Sequence, residues 1–548
     1  MSTSFQPEFS PQKRVFFSVG RRQFGQVLLA TLCLYLNAEN TFAQASQSSP
    51  AAQASLSINR LSTGRLASEP QSSDHQSSTG QLKVNNDETA PAHALGTQLA
   101  TQNILQVLSD GPIDYSLPDE KPDLASYIWP IADVLAINLS MWGSSKIAGA
   151  TFADVTPEMW AENFQTGFQW DDNEFEVNQV GHPYQGGLYF ASARVNGLSY
   201  WESIPYTMFG SFQWEFFMET EQPSTNDWMT TTWGGVFFGE MLHRLSNRVL
   251  DDSTSGSTRF WKEFSALAIS PVNGIDRLLS GAAWQDGPAG KQFPLAANLR
   301  VGPDGIGLSE GTGWGKTIRA KIRFDYGDPY AKDELDIPFE VFDFAAQINL
   351  GKDILGQGFD GTGVLLGSRF RGTHNSHLLA WVLDFEYFTN GTTKLLTRES
   401  AGVYQLGEMG TGIGWYGQWR LPAGFSVNTR ADGLFVPTGA ITSPWVKFEA
   451  NRSYSYGVGA ATKLEMDLRH ERWGKLYARA NRYLYGIVDG PKGTEHVGLL
   501  QLGAYFNAYQ GHGLGGSVIL YDRESYYSLY PDFQDSFWTG QVQYEVEY

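Results

Sequence analysis

The chain has almost no cysteine, little charge and no long apolar run. Cys33 is the single cysteine among 548 residues. It lies in an apolar stretch near the N-terminus, so a chain processed after that point has no disulfide and no thiol chemistry. Charged residues make up 18%, and the 39 basic residues are outnumbered by 58 acidic ones. The resulting formal charge of −19 argues against nucleic acid as a partner. The segment "GQVLLATLCLYL" (25–36) is too short to span a bilayer permanently. The longer "LASYIWPIADVLAINLSMW" (124–142) is interrupted by Pro130 and Asp133, and is expected not to be a transmembrane helix. No G-x-S-x-G is present, which excludes the strained nucleophile elbow. The glycines of "GLGGSVILYD" (513–522) precede no readable helix, which excludes a phosphate-cradling loop.

Glycine and aromatics are abundant: 59 glycines, and 14% Phe, Trp and Tyr. Both suit sheets with tight turns and aromatic girdles. The first 45 residues have the order of an export signal. Lys13, Arg14, Arg21 and Arg22 come first, then the apolar run, then the A-x-A site at Ala43–Ala45. Leu32, just before Cys33, argues against a lipoprotein signal, which needs a small residue there. Residues 46–118 are rich in Ser, Gln, Ala and Thr without apolar periodicity, and are expected to be a disordered linker.

The last part of the chain alternates with a period of two. In "WTGQVQYEVEY" (538–548), Trp538, Gly540, Val542, Tyr544, Val546 and Tyr548 share one face. Thr539, Gln541, Gln543, Glu545 and Glu547 share the other. The pattern recurs: Ala320, Ile322, Phe324 and Tyr326 oppose Lys321, Arg323 and Asp325, and Leu379, Trp381, Leu383, Phe385 and Tyr387 oppose Asp384 and Glu386. Phe425, Val427, Thr429 and Ala431 oppose Arg430 and Asp432, and Leu464, Met466 and Leu468 oppose Glu465, Asp467 and Arg469. Each segment is about the 9–11 residues a tilted strand needs to cross a bilayer. A soluble sandwich also alternates. The export signal, the aromatic C-terminus and the lack of a long apolar helix favour a membrane barrel, with apolar residues facing lipid and charges lining the lumen. Lipid tolerates no open sheet edge, so the sheet should close. The fold class expected is therefore mixed: an antiparallel transmembrane β-barrel of about 12 strands over 291–548, preceded by an α-helical subdomain over 119–290 that is either periplasmic or a plug. The mixed lumen charge points to a cross-linked interior rather than a wide pore.

Between about 120 and 290 the period becomes helical. Thr156 should cap a helix at "PEMWAENF", His182-Pro183 should open another, and Ser224, Thr225 or Asn226 should cap the segment 226–250. Thr231, Gly235, Gly239 and His243 recur every four residues, a stripe along which a second backbone can approach closely. Trp233, Phe237, Leu242 and Leu245 are expected to bury around it. Glu215 and Glu240 sit among large apolar residues, and a buried carboxylate needs a partner. His182, Arg194, His243, Arg244 and Arg248 are the local candidates.

Three runs in order, "WDDNEFEVNQVGHPYQGGLYFASAR" (170–194), "GSFQWEFFMETEQPSTNDWMTTTWGGVFFGEMLHRLS" (210–246) and "PVNGIDRLLSG" (271–281), resemble the bacterial domain-of-unknown-function family 3943. The resemblance covers the helical segment only. It implies an envelope protein and carries no activity with it.

Three chemical readings remain for this segment. Glu240-x-x-His243 has the i, i+3 spacing of a bundle metal site, which Glu215, Glu219 and His182 would have to complete. Alternatively His182 is a general base in a lipid-modifying enzyme, an acyl hydrolase or transferase. Glu215 or Glu240 would then orient it, and Ser192, Ser199, Ser211 or Ser224 would be the nucleophile. His182, Glu215, Glu240, His243 and Arg244 are the catalytic candidates. In the third reading His182 caps a helix, the glutamates pair with arginines, and the network only fixes packing. "WDDNEFE" (170–176) lacks the Gly and terminal Glu of a calcium loop. No cofactor is implied. The expected partners are outer-membrane lipids and, through the strand ending at Tyr548, the barrel assembly machinery.

Overall fold

In the computed structural model, the residues described are 114–117, 121–171, 173, 175–308, 317–351, 354–392, 405–445 and 452–548. The expected export signal and nearly all of the linker lie outside them. The period-two segments form twelve long strands: β1 Leu295–Leu308, β2 Thr317–Tyr326, β3 Phe342–Gly351, β4 Ile354–Arg371, β5 Asn375–Thr392, β6 Gln405–Arg420, β7 Phe425–Thr442, β8 Tyr454–His470, β9 Gly474–Asp489, β10 Gly493–Tyr509, β11 His512–Tyr527 and β12 Phe533–Glu547. Each pairs antiparallel with the next, and Leu299 on β1 opposite Val546 on β12 closes the ring. A two-residue bridge, Glu334–Leu335, adds to the edge of β4. Tyr548 lies at the Leu295 end, its amide donating to Ala297 O at 2.8 Å. The turns 372–374, 421–424, 471–473 and 510–511 are short and lie at that same end, the pattern of a periplasmic rim.

Side chains alternate across this wall as a membrane barrel requires. On β12, Val542 is 64% exposed while Glu545 is fully buried. The ionised residues face inward and pair. Lys463 contacts Asp384, Glu386 at 2.8 Å and Glu408 at 3.5 Å. Arg430 contacts Asp343 at 2.7 Å and Asp432 at 2.6 Å. Lys321 contacts Asp360 at 2.9 Å. The cavity left among them is about 110 Å³, room for a handful of water molecules.

The helices lie N-terminal to the barrel: α1 Leu124–Ile147, α2 Pro157–Thr166, α3 His182–Val195, α4 Tyr200–Phe217, α5 Thr225–Met229, α6 Gly235–Val249, α7 Gly256–Ile269 and α8 Pro271–Ser280. Thr156 caps α2, and Ser224 caps α5 by accepting from Asp227 N at 3.1 Å. The chain forms two units, one of Leu117–Leu245 with Phe293–Tyr548 and the other of Ser246–Gln292 with the described residues up to Ser116. In the smaller unit, Arg259 and Arg277 both bind Asp252 and Glu263.

In the larger unit the helices pack on the barrel wall. Phe175 stacks on Tyr387, and Phe237 on Phe385, with ring centroids 5.6 and 5.7 Å apart. Phe385 and Tyr387 alternate with the lumen residues Asp384 and Glu386, so the face that receives the helices is the outward one. Elsewhere on β5 the same face is exposed at Leu379, while Trp381 is partly covered by Trp201 of α4. Among the described residues, those lining the lumen cavity all come from strands. α1 runs through Pro130 unbroken, and by length and composition alone it is long and apolar enough to cross a membrane.

Candidate functional site

The polar site is built around two wide helical turns. The first, Val177–Gly181, leads into α3 just where Pro183 lacks the N–H of a regular helical bond. The second, Thr230–Gly234, joins α5 to α6. Such π-turns insert an extra residue and are frequent at functional sites. The small-residue stripe brings them together. A Cβ on Gly186 would lie 1.8 Å from Thr231 O, and one on Gly235 would lie 2.5 Å from Gly186 C. Backbone contact at this distance is open only to glycine.

His182 lies in this contact, buried. Its Nδ1 is 3.2 Å from Thr231 Oγ1, and its Nε2 is 3.5 Å from Asp227 Oδ2. It makes no cap, so that part of the packing reading is corrected. Burial pushes its imidazole down to about 4, against the pull of nearby Asp171. Burial also raises Asp227 well above the carboxylate range, helped by Asp171 and Glu219. Burial thus disfavours the charged form of both members of the pair.

Two more carboxyls adjoin. Glu215 Oε2 accepts from Ser224 N at 2.8 Å, and Glu219 Oε2 from Trp214 Nε1 at 3.2 Å. Burial, with the charge of Asp171, lifts Glu219 to about 8. Burial and neighbouring Glu219 raise Glu215 well above its ordinary value. Among the described residues no Lys or Arg pairs with Glu215, which corrects the arginine expected there. Glu240 is the opposite case. It lies between Arg194 Nε at 2.8 Å and Arg244 Nε at 2.7 Å. Arg244 also donates to Pro338 O at 2.8 Å, tying α6 to the loop before β3.

The expected site residues therefore separate. His182 stands with Asp227 and Thr231, rather than with Glu215 or Glu240. Glu240 and Arg244 form an ion-pair knot with Arg194. His243 is buried one turn on from Glu240. Among the described residues no group of three His, Cys, Asp or Glu side chains is placed to hold a metal ion, so Glu240 and His243 are not completed into a metal site. Of the expected nucleophiles, Ser192 donates to Leu188 O, Ser199 caps α4 and Ser224 caps α5. Ser211 is buried in α4. Trp233 is 40% exposed rather than buried.

Barrel residues complete the surroundings. Asn178 Nδ2 lies 2.8 Å from Tyr454 OH, 2.9 Å from Tyr456 OH and 3.0 Å from Asp171 Oδ2. Arg452 lies over both tyrosine rings and donates to Asp171 O at 3.0 Å. Sequence reasoning missed these partners because they are more than 270 residues away. Asp227 was missed because the capping pattern of Ser224–Asn226 accounted for the stretch around it.

The closed, even-numbered antiparallel ring with a charged interior and an apolar exterior defines a membrane barrel of the outer-membrane type. Residues 167–272 match the family described as "Domain of unknown function (DUF3943)", which bears out the resemblance of the helical motifs and spans His182, Asp227, Thr231 and Glu240. No curated protein matches the chain. Among solved structures, the beta domain of the Bordetella autotransporter BrkA is 12% identical, with a TM-score of 0.21, covering 46% of this chain and 98% of that one. The Pseudomonas putida toluene transporter TodX is 8% identical, with a TM-score of 0.22, over 46% of this chain and 88% of that one. OmpT of Vibrio cholerae is 8% identical, with a TM-score of 0.21, over 47% and 97%. At these scores the likenesses carry no argument about what this chain does.

Proposed function

We propose that the protein serves the outer membrane as a filled, non-conducting barrel that holds the helical module, an envelope-structural role rather than an open path for solutes. The observation that carries this is the lumen, where Lys463 is ringed by Asp384, Glu386 and Glu408, and Arg430 bridges Asp343 and Asp432. Ions crossing such an interior must break several buried pairs at once. Outer-membrane lipids are the surrounding partner. The strand ending at Tyr548 is the segment offered to the barrel assembly machinery. Planar-bilayer recordings of the purified protein test the role: no steady conductance is expected, and a stable open level in the unmodified protein would refute it.

A second reading is favoured by one specific geometry. His182, neutral between Thr231 and Asp227, has the order hydroxyl, imidazole, carboxyl of acyl-transfer enzymes, with Thr231 and Asp227 in the places first assigned to a serine and to Glu215 or Glu240. In this reading the protein modifies membrane lipids. Lipid mass spectrometry of cells carrying His182→Ala, with the barrel still folded, separates the two. An altered acylation pattern supports the enzyme, and unchanged lipids leave the structural role.

A further inference from the structure

We infer that the outer face of α1 is a lipid-contacting surface, so that this face of the helical module lies against the bilayer beside the barrel, with acyl chains covering it. The inference rests on the membrane-barrel reading and extends it to the helices. Its first support is where the module sits. The helices cover Phe385, Tyr387, Met409 and Tyr456, all on the outward face that elsewhere carries bare Leu and Trp. Whatever covers part of a lipid-facing wall must present an apolar surface of its own, because polar groups facing hydrocarbon cost several kcal/mol each.

α1 is inverted in the same sense as the strands. Its polar residues point inward: Asn138 is fully buried and donates to Gly210 O at 3.0 Å and Gln213 Oε1 at 2.9 Å, and Ser140 is buried too. Its exposed large apolar residues include Leu124, Ile128, Trp129, Ile131, Leu135, Leu139 and Ile147; no charged residue is exposed from Leu124 to Leu139, and the exposed Lys146 lies in the last turn. Asp133, the one charge there, is half-buried and accepts from Asn196 Nδ2 at 2.8 Å. A water-facing helix shows the reverse distribution. With 24 residues, α1 reaches about 36 Å, more than the ~30 Å hydrocarbon core.

The module also meets the barrel's own belt. Trp201 on α4 stacks on Trp381 of β5, centroids 5.8 Å apart and planes 22° apart. Tyr127 on α1 donates to the neighbouring Glu202 at 2.6 Å, an exposed polar contact beside it.

Spin labels on the full-length protein test this. In a Cys33→Ser background, Ile128→Cys, Leu135→Cys and Leu139→Cys report on α1. Leu464→Cys reports on the barrel's outward face, and Glu162→Cys, exposed on α2, on water. The protein is reconstituted in phosphatidylethanolamine–phosphatidylglycerol vesicles, and relaxation by oxygen is compared with relaxation by a water-soluble nickel complex. The expected result is an oxygen-to-nickel ratio on α1 equal to that at Leu464 and several-fold above that at Glu162. Nickel-favoured relaxation on α1 with an oxygen-favoured Leu464 overturns the inference and spares the barrel. Nickel-favoured relaxation at Leu464 overturns the membrane reading itself. Shielding of α1 from both reagents, or spin–spin broadening that grows with protein density, assigns the face to another protein or a second copy and overturns the lipid assignment. Heat-modifiable gel mobility verifies that each variant is folded, and Ile131→Cys replaces any that is not.

Discussion

Buried charge is handled in opposite ways in the lumen and in the helical module. Inside the barrel the buried clusters mix signs: Lys463 faces three carboxylates, and Arg323 faces Asp325, Asp343 and Glu465. In the module, Glu240 follows that rule between Arg194 and Arg244, but a short distance along the chain Glu215, Glu219 and Asp227 lie together, with His182 their one basic ion-pair neighbour among the described residues. The first arrangement fixes geometry by Coulomb attraction. In the second, burial and mutual repulsion push the carboxyls toward their protonated forms. Groups that hold protons at unusual pH are suited to chemistry, whereas salt-bridged ones are suited to support. The comparison therefore assigns the scaffold to the barrel and to Glu240, and any reactive role to the surroundings of His182.

The sharpest way to break the comparison is to remove a cation where one is needed. Lys463→Met leaves Asp384, Glu386 and Glu408 facing each other without compensation. The barrel should lose about 3–5 kcal/mol, read as a lower urea midpoint in detergent, and recover when the three carboxyls are also changed to amides. Arg244→Met comes next. Arg194 still holds Glu240, so a loss of about 3 kcal/mol is expected. Asp227→Asn, by contrast, should cost less than Arg244→Met at pH 7, because burial already disfavours the ionised form that the amide removes. Equal losses for Arg244→Met and Asp227→Asn would erase the distinction.

A smaller effect separates the two regions by packing. Gly186→Ala drives a methyl into Thr231 O, 1.8 Å from the ideal Cβ, and should cost about 1–3 kcal/mol in helical stability. Gly433→Ala on β7 meets nothing within 4 Å and should leave the barrel's melting unchanged. This contrast was half legible in the sequence. The four-residue stripe of Thr231, Gly235 and Gly239 announced a close approach, but not that Gly186 and Gly187 of α3 would supply the other side.

The barrel could be read from the chain because alternation is local. Each residue's face follows from its neighbour two places on, and closure follows from lipid's intolerance of edges. The site was less legible. His182, Glu215 and Glu240 stood out as polar residues in apolar runs, yet which of them meet depends on two π-turns and on Tyr454 and Tyr456 from a distant strand. The placement of the helices escaped for a related reason. Phe385 and Tyr387 look the same in sequence whether lipid or Phe237 and Phe175 cover them.

The mildest perturbation is of pH. In the folded module Glu219 keeps its proton up to about 8, whereas an unfolded glutamate releases it near 4.5. The folded state therefore binds more protons across that interval, and stability falls as pH rises from 4.5 through 8. His182 acts in the other direction: lowered to about 4 against an ordinary 6.5, it makes stability fall as pH drops from 6.5 toward 4. Helical melting, followed in detergent by near-UV circular dichroism, should thus weaken on both sides of a maximum. Glu219→Gln should make the alkaline side shallower, with Glu215 and Asp227 keeping their share of it, and leave the acid side as it was, because a glutamine has no proton to lose and His182 is untouched. An alkaline slope as steep as that of the unmodified protein would mean that Glu219 is ionised and paired in the folded protein, and the module would then resemble the lumen after all.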